Sequence, residues 1–287
     1  MKQILLIGSL GQLGRYLVEA LTSLDIELHV MNRLHMDLAQ THLIQGKLNE
    51  FEPDLIINAS AYTAVDLAEK ESELAYLINR DAPMEMAKYA YDKGIPFLHY
   101  STDYVFSGKA STPYKEQDPT DPQGVYGASK LEGEHEVLDS GANAYIFRTA
   151  WVYSQQGKNF YNTMLNLAEN RNELSIVNDQ YGSPTYAGEI AKATVIIVEM
   201  LLRGDSFKKG VYHMTCSGET HWAEFAKEIF AMNRIDVEVN GITTSEYPTP
   251  AKRPAYSVLN NQKLKEEFGV CLPSWQTGLK QCLIEKS

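Results

Sequence analysis

A glycine-rich turn directly after a short apolar run is the feature that most constrains the fold of this chain. The apolar residues 4–7 lead into glycines at positions 8, 11 and 14, and an amphipathic segment follows. A strand, a glycine turn and a helix in this order let a pyrophosphate approach the backbone N–H groups at the helix N-terminus. The sequence therefore predicts a dinucleotide site whose turn residues are Gly8, Gly11, Gln12, Leu13 and Gly14.

Short apolar runs alternate with helix-length segments through the first half of the chain. Strands are predicted at residues 4–7, 27–30, 55–57, 97–100 and 145–148, and helices at residues 15–24, 75–92 and 130–138. Nearly unbroken apolar strands separated by helices are typical of a parallel sheet that is covered on both faces. We predict an α/β fold with a Rossmann-like, doubly wound parallel sheet and a smaller, mixed α/β C-terminal substrate domain.

The regular alternation of strands and helices ends after residue 151, which suggests a discontinuous domain division. Residues 1–151 and 172–204 are assigned to an NAD(P)-binding domain. Residues 152–171 and 205–287 are assigned to the substrate domain, which is expected to close over the carboxyl ends of the strands, where open α/β sheets bind ligands.

The residues after the second predicted strand indicate which dinucleotide is bound. An NAD-selective site has a carboxylate there for the ribose hydroxyls, whereas this chain has Asn32 and Arg33. A guanidinium can receive a 2′-phosphate, so NADPH is the predicted cofactor, with NADH as an alternative. Further cofactor contacts are predicted for Asp37 and Leu38 beside the adenine, and for the small residues Ala59, Ser60 and Ala61 after the third strand.

A tyrosine and a lysine four residues apart carry the predicted chemistry. Tyr126 and Lys130 share one face of a predicted helix, and Thr102 follows the fourth predicted strand. A phenol is a weak acid at neutral pH, and a nearby ammonium is expected to lower the pKa of Tyr126 by stabilising the phenolate. Thr102 is expected to contribute a hydroxyl to the same substrate oxygen.

Together these motifs resemble the extended short-chain dehydrogenase/reductase family along nearly the whole chain. The matching stretches are residues 11–14, 58–66, 101–106, 126–130, 148–153 and 179–185. The resemblance implies a dTDP-sugar substrate and NAD(P)H-dependent reduction of the C4 ketone of dTDP-4-dehydro-β-L-rhamnose to dTDP-β-L-rhamnose, the last step of dTDP-L-rhamnose biosynthesis. It also implies that Tyr126 protonates the C4 oxygen and that Lys130 holds the nicotinamide ribose.

The predicted substrate contacts are Thr102, Asp103, Trp151 and Arg253. The family resemblance implies the first three, and a flat aromatic ring also suits the apolar face of a sugar. Arg253 is a candidate clamp for the diphosphate, because a guanidinium pairs well with phosphate oxygens.

Three alternatives remain at this stage. A dehydratase of this fold needs an acid and a base after Thr102, and Asp103 is followed here by Tyr104, which argues against elimination. A different sugar-nucleotide 4-ketoreductase or an epimerase stays open. A non-catalytic regulatory subunit that binds NADP is also open, although Thr102, Tyr126 and Lys130 are all present.

Relatives that bind Mg²⁺ use glutamates at a dimer interface, one of them just after the glycine turn. Arg15 and Tyr16 stand there in this chain, and Glu189 is the remaining match. We therefore assign no metal ligands and keep Mg²⁺ only as a secondary alternative, with both monomer and homodimer open.

Charge and hydropathy narrow the possible partners and the compartment. The formal net charge of −11 argues against nucleic acid, because phosphate contacts need a basic surface. The most apolar helical stretch, residues 193–202, falls short of the roughly 20 residues of a membrane span, so no membrane contact is expected. The N-terminus does not resemble a signal peptide and the three cysteines show no paired spacing, so a cytoplasmic protein is expected.

Overall fold

The five strands predicted from the hydrophobic pattern all form. The computed structural model describes residues 1–284. The strands are β1 (Lys2–Ile7), β2 (Ile26–Met31), β3 (Leu55–Asn58), β4 (Pro96–Thr102), β5 (Asn143–Thr149), β6 (Val152–Tyr153), β7 (Glu173–Val177), β8 (Tyr181–Gly182), β9 (Thr185–Tyr186), β10 (Gly210–His213), β11 (Thr220–His221) and β12 (Glu238–Ile242). The helices are α1 (Gln12–Leu21), α2 (Ile44–Phe51), α3 (Val65–Ala68), α4 (Ser72–Tyr76), α5 (Ala82–Lys93), α6 (Val125–Asp139), α7 (Phe160–Ala168), α8 (Ala187–Leu202), α9 (Trp222–Asn233), α10 (Gln262–Phe268) and α11 (Trp275–Ile284).

The main sheet has six strands in the order β10-β5-β4-β3-β1-β2, and every neighbouring pair is parallel. The chain leaves β1 for β2 on one side and then returns to β3 on the other, so the strand order reverses between β1 and β3. Ligands of open α/β sheets bind outside the carboxyl ends of the strands at such a reversal. The glycine turn after β1 and the small residues after β3 both lie at this point.

Both faces of the sheet are buried, as the unbroken apolar strands predict. Ile4 and Leu6 of β1 join one hydrophobic cluster with α1 and α8, whereas Leu5 and Ile7 join another with α2 and α5. Successive side chains of a strand point to opposite faces, so an apolar residue at every position requires helices on both sides. The predicted Rossmann-like, doubly wound class is confirmed.

Two strands pair differently from what the predicted domain division implies. β10 comes from the predicted substrate domain, yet it extends the main sheet by pairing with β5. β7 comes from the predicted NAD(P)-binding domain but pairs with β12 outside that sheet. Alternate residues of β7, Glu173 and Ser175, are exposed, so β7 is unsuited to a sheet that is buried on both faces. The division itself stays a prediction.

The helix predicted at residues 75–92 is interrupted by a π-helical segment, Leu77–Asp81. Within it, buried Asn79 accepts a hydrogen bond from the Tyr62 backbone N–H and donates to Ser129 on α6. This side chain joins a loop to a neighbouring helix, which explains the local departure from α-helical geometry. Among residues 1–284, no helix has both the length and the apolar character required to cross a bilayer.

Candidate active site

The glycine turn is shaped for close approach of a phosphate group. Gly8 has a φ of 91°, which favours glycine, and a Cβ atom there would lie 2.8 Å from the backbone carbon of Ala59. A Cβ atom on Gly14 would lie 2.0 Å from the carbonyl oxygen of Gly8. Gly11 caps α1 without a side-chain hydrogen bond, so the backbone N–H groups of the first helical turn remain available to a ligand. The turn therefore fits a dinucleotide pyrophosphate.

The predicted adenosine contacts lie beyond the carboxyl end of β2. The Arg33 side chain is 77% exposed and its Nε atom lies 3.8 Å from Asp37 Oδ1, so the guanidinium is free to turn toward an anion. Asn32 Oδ1 accepts the Leu34 N–H at 2.8 Å, which fixes the bend that presents Arg33. The Leu38 side chain, by contrast, is buried in the hydrophobic cluster of α2 and α5, so only its backbone faces outward.

The small residues after β3 lie against the glycine turn. The Ala59 N–H donates to Ile7 O at 2.9 Å, and this bond continues the pairing of β3 with β1 past the strand end. Ser60 donates its backbone N–H to Asn58 Oδ1 at 3.1 Å, so its side chain also turns back toward the sheet. Ala59 and Ser60 thus border the predicted cofactor site, with Ala61 next along the same loop.

Thr102 and Tyr126 lie together at the carboxyl edge of the sheet. Thr102 is the last residue of β4, and its hydroxyl faces the phenol of Tyr126 in the first turn of α6. The Tyr104 ring contacts the Tyr126 ring edge-on at 5.5 Å between centroids. A hydroxyl and a phenol that face each other can both reach one substrate oxygen.

The pKa of Tyr126 is shifted in the direction opposite to the one expected from the sequence. Burial raises it, the nearby Thr102 hydroxyl lowers it, and the negative charge of Asp103 adds to the rise. Lys130 does not contribute, because its Nζ atom is turned toward β4. The expectation that Lys130 lowers the pKa of Tyr126 is wrong for the protein without cofactor.

Lys130 is almost completely buried beneath the site. Its Nζ atom donates to the Tyr100 carbonyl oxygen at 2.7 Å and lies 3.2 Å from Nε2 of His99. Burial lowers the pKa of Lys130 to about 8, against a smaller opposing effect of Glu134. His99 was missed in the sequence analysis. A histidine inside an otherwise apolar predicted strand was the available signal.

Asp103 follows Thr102 and is 2% exposed. Its Oδ1 atom accepts the Thr102 hydroxyl at 3.1 Å, whereas its Oδ2 atom is buried without a hydrogen-bond partner. Burial raises the pKa of Asp103 to about 6, with the nearby hydroxyls of Ser257 and Thr102 opposing the shift. An unpartnered buried oxygen at the end of β4 is suited to accept a hydrogen bond from a substrate hydroxyl.

Trp151 is placed by a strained backbone and by a second tryptophan. Its φ of 48° lies in the left-handed region, and its ring lies parallel to that of Trp222. A Cβ atom on Gly182 would lie 2.4 Å from the Trp151 ring, so the indole is also confined at its edge. Trp222 in turn donates its Nε1–H to Gln180 at 3.1 Å. Nothing in the sequence indicated the role of Trp222.

Arg253 already has an anionic partner. Its Nη2 atom lies 2.7 Å from Oδ2 of Asp66, and Asp66 Oδ1 accepts the Ala251 N–H at 3.1 Å. These two bonds join the segment before α10 to α3 across the chain. Arg253 also faces Tyr104, so it approaches the residues beside Thr102. A diphosphate would therefore share this guanidinium with Asp66 or displace the carboxylate.

The possible metal ligands do not come together. Within residues 1–284, no group of three or more His, Cys, Asp or Glu side chains is arranged to hold an ion. Arg15 donates to the Leu10 carbonyl oxygen and to Gln156, and Glu189 forms an ion pair with Lys192 at 2.9 Å. The side chains at these positions therefore provide few ligands for Mg²⁺ within a single chain.

A six-stranded parallel sheet with a glycine turn after β1, and with Thr102, Tyr126 and Lys130 at its carboxyl edge, defines a dinucleotide-dependent reductase of the extended short-chain type. The sequence model of the family described as "RmlD substrate binding domain" matches residues 1–287. The chain belongs to this family, that of the dTDP-4-dehydrorhamnose reductases. The resemblance stated from the sequence motifs is confirmed.

Individual relatives match over almost their full length. A dTDP-4-dehydrorhamnose reductase of Sinorhizobium fredii is 41% identical over 279 residues, which cover 96% of this chain and 94% of the relative. A crystal structure of a Clostridium acetobutylicum dTDP-4-dehydrorhamnose reductase superposes with a TM-score of 0.93, at 39% identity and 99% coverage of both chains. The Bacillus anthracis enzyme, solved in complex with NADP, gives a TM-score of 0.92 at 36% identity, covering 99% of this chain and 100% of that one.

Proposed function

We propose that this chain catalyses NADPH-dependent reduction of the C4 ketone of dTDP-4-dehydro-β-L-rhamnose to dTDP-β-L-rhamnose. The observation that carries the proposal is that the Thr102 hydroxyl and the Tyr126 phenol face each other at the carboxyl edge of the main sheet, the edge that also holds the glycine turn. Relatives that match this chain over almost its whole length bear the name of that reductase, and one was solved with NADP. NADPH is therefore proposed as the cofactor, with NADH as the alternative.

The bound dinucleotide supplies the hydride. The glycine turn and the first turn of α1 would hold its pyrophosphate, and Arg33 would face the 2′-phosphate. Lys130, under the same edge of the sheet, would hold the nicotinamide ribose. These residues bind and orient the cofactor, and they exclude water from the side of the site that faces the sheet.

Tyr126 is the proposed general acid. As charge develops on the C4 oxygen, the phenol donates its proton there, and the Thr102 hydroxyl donates a hydrogen bond to the same oxygen. A positioned acid of this kind contributes roughly 100- to 10,000-fold to a rate. The raised pKa of Tyr126 keeps the phenol protonated before the reaction, which suits an enzyme that works in the direction of reduction.

Asp103, Trp151 and Arg253 are the proposed substrate contacts. Asp103 would accept a sugar hydroxyl through its unpartnered oxygen, and Trp151 would form a wall for the sugar ring. Arg253 would bind the diphosphate. We propose that residues 1–151 and 172–204 bind the cofactor, and that residues 152–171 and 205–287 bind the sugar nucleotide together with Thr102, Asp103 and Trp151 at the edge of the main sheet.

Elimination is disfavoured by the side chain at position 104. A dehydratase would need a second carboxyl group beside Asp103, whereas burial raises the pKa of the Tyr104 phenol to about 12. Such a group is a poor base at neutral pH, so ketone reduction suits the site better than loss of water.

The test is oxidation of NADPH, and separately of NADH, by the purified protein. The substrate is generated in place from dTDP-glucose by a 4,6-dehydratase and a 3,5-epimerase. Turnover that requires the epimerase supports the proposed substrate. Equal turnover without the epimerase would point to a different 4-keto sugar nucleotide, and cofactor binding without oxidation would point to the non-catalytic alternative.

A further inference from the structure

Three buried polar residues and a half-buried serine form a hydrogen-bonded chain from the loop after β3 to the proposed catalytic lysine. Asn58 ends β3, His99 lies beside it in β4, and Lys130 reaches them from α6. Asn58 and His99 are 0% exposed and Lys130 is 1% exposed. The chain begins at Ser60, in the loop after β3. Because water is excluded, each hydrogen bond in this chain must be satisfied from within it.

Ser60 fixes the orientation of the Asn58 amide. The Ser60 backbone N–H donates at 3.1 Å to one terminal atom of Asn58, and the Ser60 hydroxyl donates to the same atom. A backbone N–H is only a donor, so that atom must be the amide oxygen. The amide nitrogen of Asn58 therefore faces His99, 3.1 Å from Nδ1.

The orientation of Asn58 decides where the His99 proton resides. Burial holds the pKa of His99 well below 6.5, so the ring is neutral and carries one N–H. Since Nδ1 accepts from Asn58, the proton must be on Nε2. Nε2 lies 3.2 Å from Lys130 Nζ, and an ammonium has no lone pair with which to accept that proton.

We propose that Asn58 and His99 are positioning residues that hold Lys130 as a neutral amine in the cofactor-free protein, with the His99 Nε2–H donating to Lys130 Nζ. The amine then donates one of its own hydrogens to the Tyr100 carbonyl oxygen, and each contact along the chain pairs one donor with one acceptor. An ammonium at this position would leave two donors facing each other inside the protein.

The charges around Lys130 are consistent with a neutral amine. Glu134, one turn along α6, is the carboxylate that acts on it, but Glu134 is bound to Arg148 at 2.6 Å and to Ser101. On the substrate side, Tyr126 is held as a neutral phenol, and the carboxyl group of Asp103 does not act on Lys130. Burial lowers the pKa of Lys130 to about 8, and the contact with the His99 Nε2–H, which only an amine can accept, favours the neutral form further.

The direct test is nuclear magnetic resonance of the full-length, cofactor-free protein labelled with ¹⁵N in histidine and lysine. We expect a His99 ring with its proton on Nε2 between pH 6 and pH 8, and a Lys130 Nζ shift typical of an amine at pH 8. A His99 proton on Nδ1, or a Lys130 ammonium across this range, would overturn the proposal. Neither signal depends on enzymatic activity, so the result stands apart from the proposed reaction.

A substitution of Asn58 should reverse the arrangement. In Asn58→Asp the carboxylate accepts a hydrogen bond from the Nδ1–H of His99, which leaves Nε2 free to accept a hydrogen bond from a Lys130 ammonium. The His99 proton should move to Nδ1, and Lys130 should remain protonated to a pH about one unit higher, a tenfold change in its protonation constant. Asn143→Asp adds the same charge at an exposed site on the neighbouring strand and should change neither signal.

The same variant has a kinetic consequence that rests on the proposed function. If the ammonium form of Lys130 works during turnover, activity falls as pH rises past its pKa. The alkaline limb of kcat/KM for NADPH oxidation should then move to higher pH in Asn58→Asp but not in Asn143→Asp. If Asn58→Asp changes neither the alkaline limb of kcat/KM nor the position of the His99 proton, Asn58 has a purely structural role. Absence of turnover in the wild-type protein would count against the proposed reaction alone.

Discussion

The indole rings of Trp151 and Trp222 lie parallel, with centroids 3.4 Å apart and 4° between their planes. Trp151 holds a left-handed backbone conformation, which costs about 1 kcal/mol or more in a residue other than glycine. Such a conformation persists only where its surroundings fix it. The stack with Trp222, together with the close approach of Gly182, is what orients the proposed sugar-facing wall.

Loss of the stack should therefore weaken substrate binding more than chemistry. In Trp222→Ala we expect the KM for the sugar nucleotide to rise about tenfold, equivalent to about 1.4 kcal/mol, with kcat little changed. Trp222→Phe keeps an aromatic face and should stay close to the wild-type KM. Steady-state kinetics with saturating NADPH provide the measurement. An unchanged KM in Trp222→Ala would mean that Trp151 needs no support from Trp222.

Removal of the Tyr126 hydroxyl should abolish most turnover without affecting cofactor binding. In Tyr126→Phe we expect kcat to fall at least about 100-fold, because the proposed acid is lost while the ring remains. NADPH affinity, measured by fluorescence titration, should be unchanged. Tyr91→Phe removes a phenol from the exposed surface of α5 and serves as the matched control. Near-normal turnover in Tyr126→Phe would remove Tyr126 from the mechanism.

Reversal of the charge at position 33 should change cofactor preference. In Arg33→Asp we expect the ratio of kcat/KM for NADPH to that for NADH to fall roughly tenfold or more, because the 2′-phosphate loses a cation and meets a carboxylate. Arg171→Asp makes the same charge change at an exposed position between α7 and β7. If both variants shift the ratio equally, the effect is one of overall charge, and Arg33 has no specific role.

The buried carboxyl group of Asp103 should make stability depend on pH. Its pKa is about 6 in the folded protein and about 3.8 in the unfolded chain, so folding favours the protonated form. The contribution of Asp103 to the free energy of unfolding is then greatest below about pH 4. It falls between about pH 4 and pH 6 and stays lower above that range.

Asp103→Asn should remove this dependence. At pH 8 we expect the variant to gain about 3 kcal/mol in free energy of unfolding over the wild type, and only about 1 kcal/mol at pH 4.5. Urea unfolding at the two pH values measures it. The exposed Asp92→Asn provides the control and should show no such gain. Equal free energies of unfolding for Asp103→Asn and the wild type at pH 8 would show that burial of the Asp103 carboxylate does not destabilise the folded protein.

The local sequence determined the strands of the main sheet, the glycine turn and the pairing of Tyr126 with Lys130. The apolar run of β1, the three glycines and the amphipathic α1 are contiguous, so one pattern predicts both the turn and its affinity for phosphate. The central strands of the main sheet were predictable because their buried residues are mostly apolar on both faces. Tyr126 and Lys130 were predictable as a pair, since four residues along a helix bring side chains to one face.

Only the tertiary structure decided how distant residues meet. The contacts of His99 with Lys130, of Trp151 with Trp222 and of Arg253 with Asp66 each join separate elements, and no local period encodes such a contact. The pKa of Tyr126 rises because folding buries the phenol while Lys130 turns toward β4. Hydrophobic periodicity specifies which face of an element is buried, whereas partners and protonation states depend on what the folded chain packs against that face.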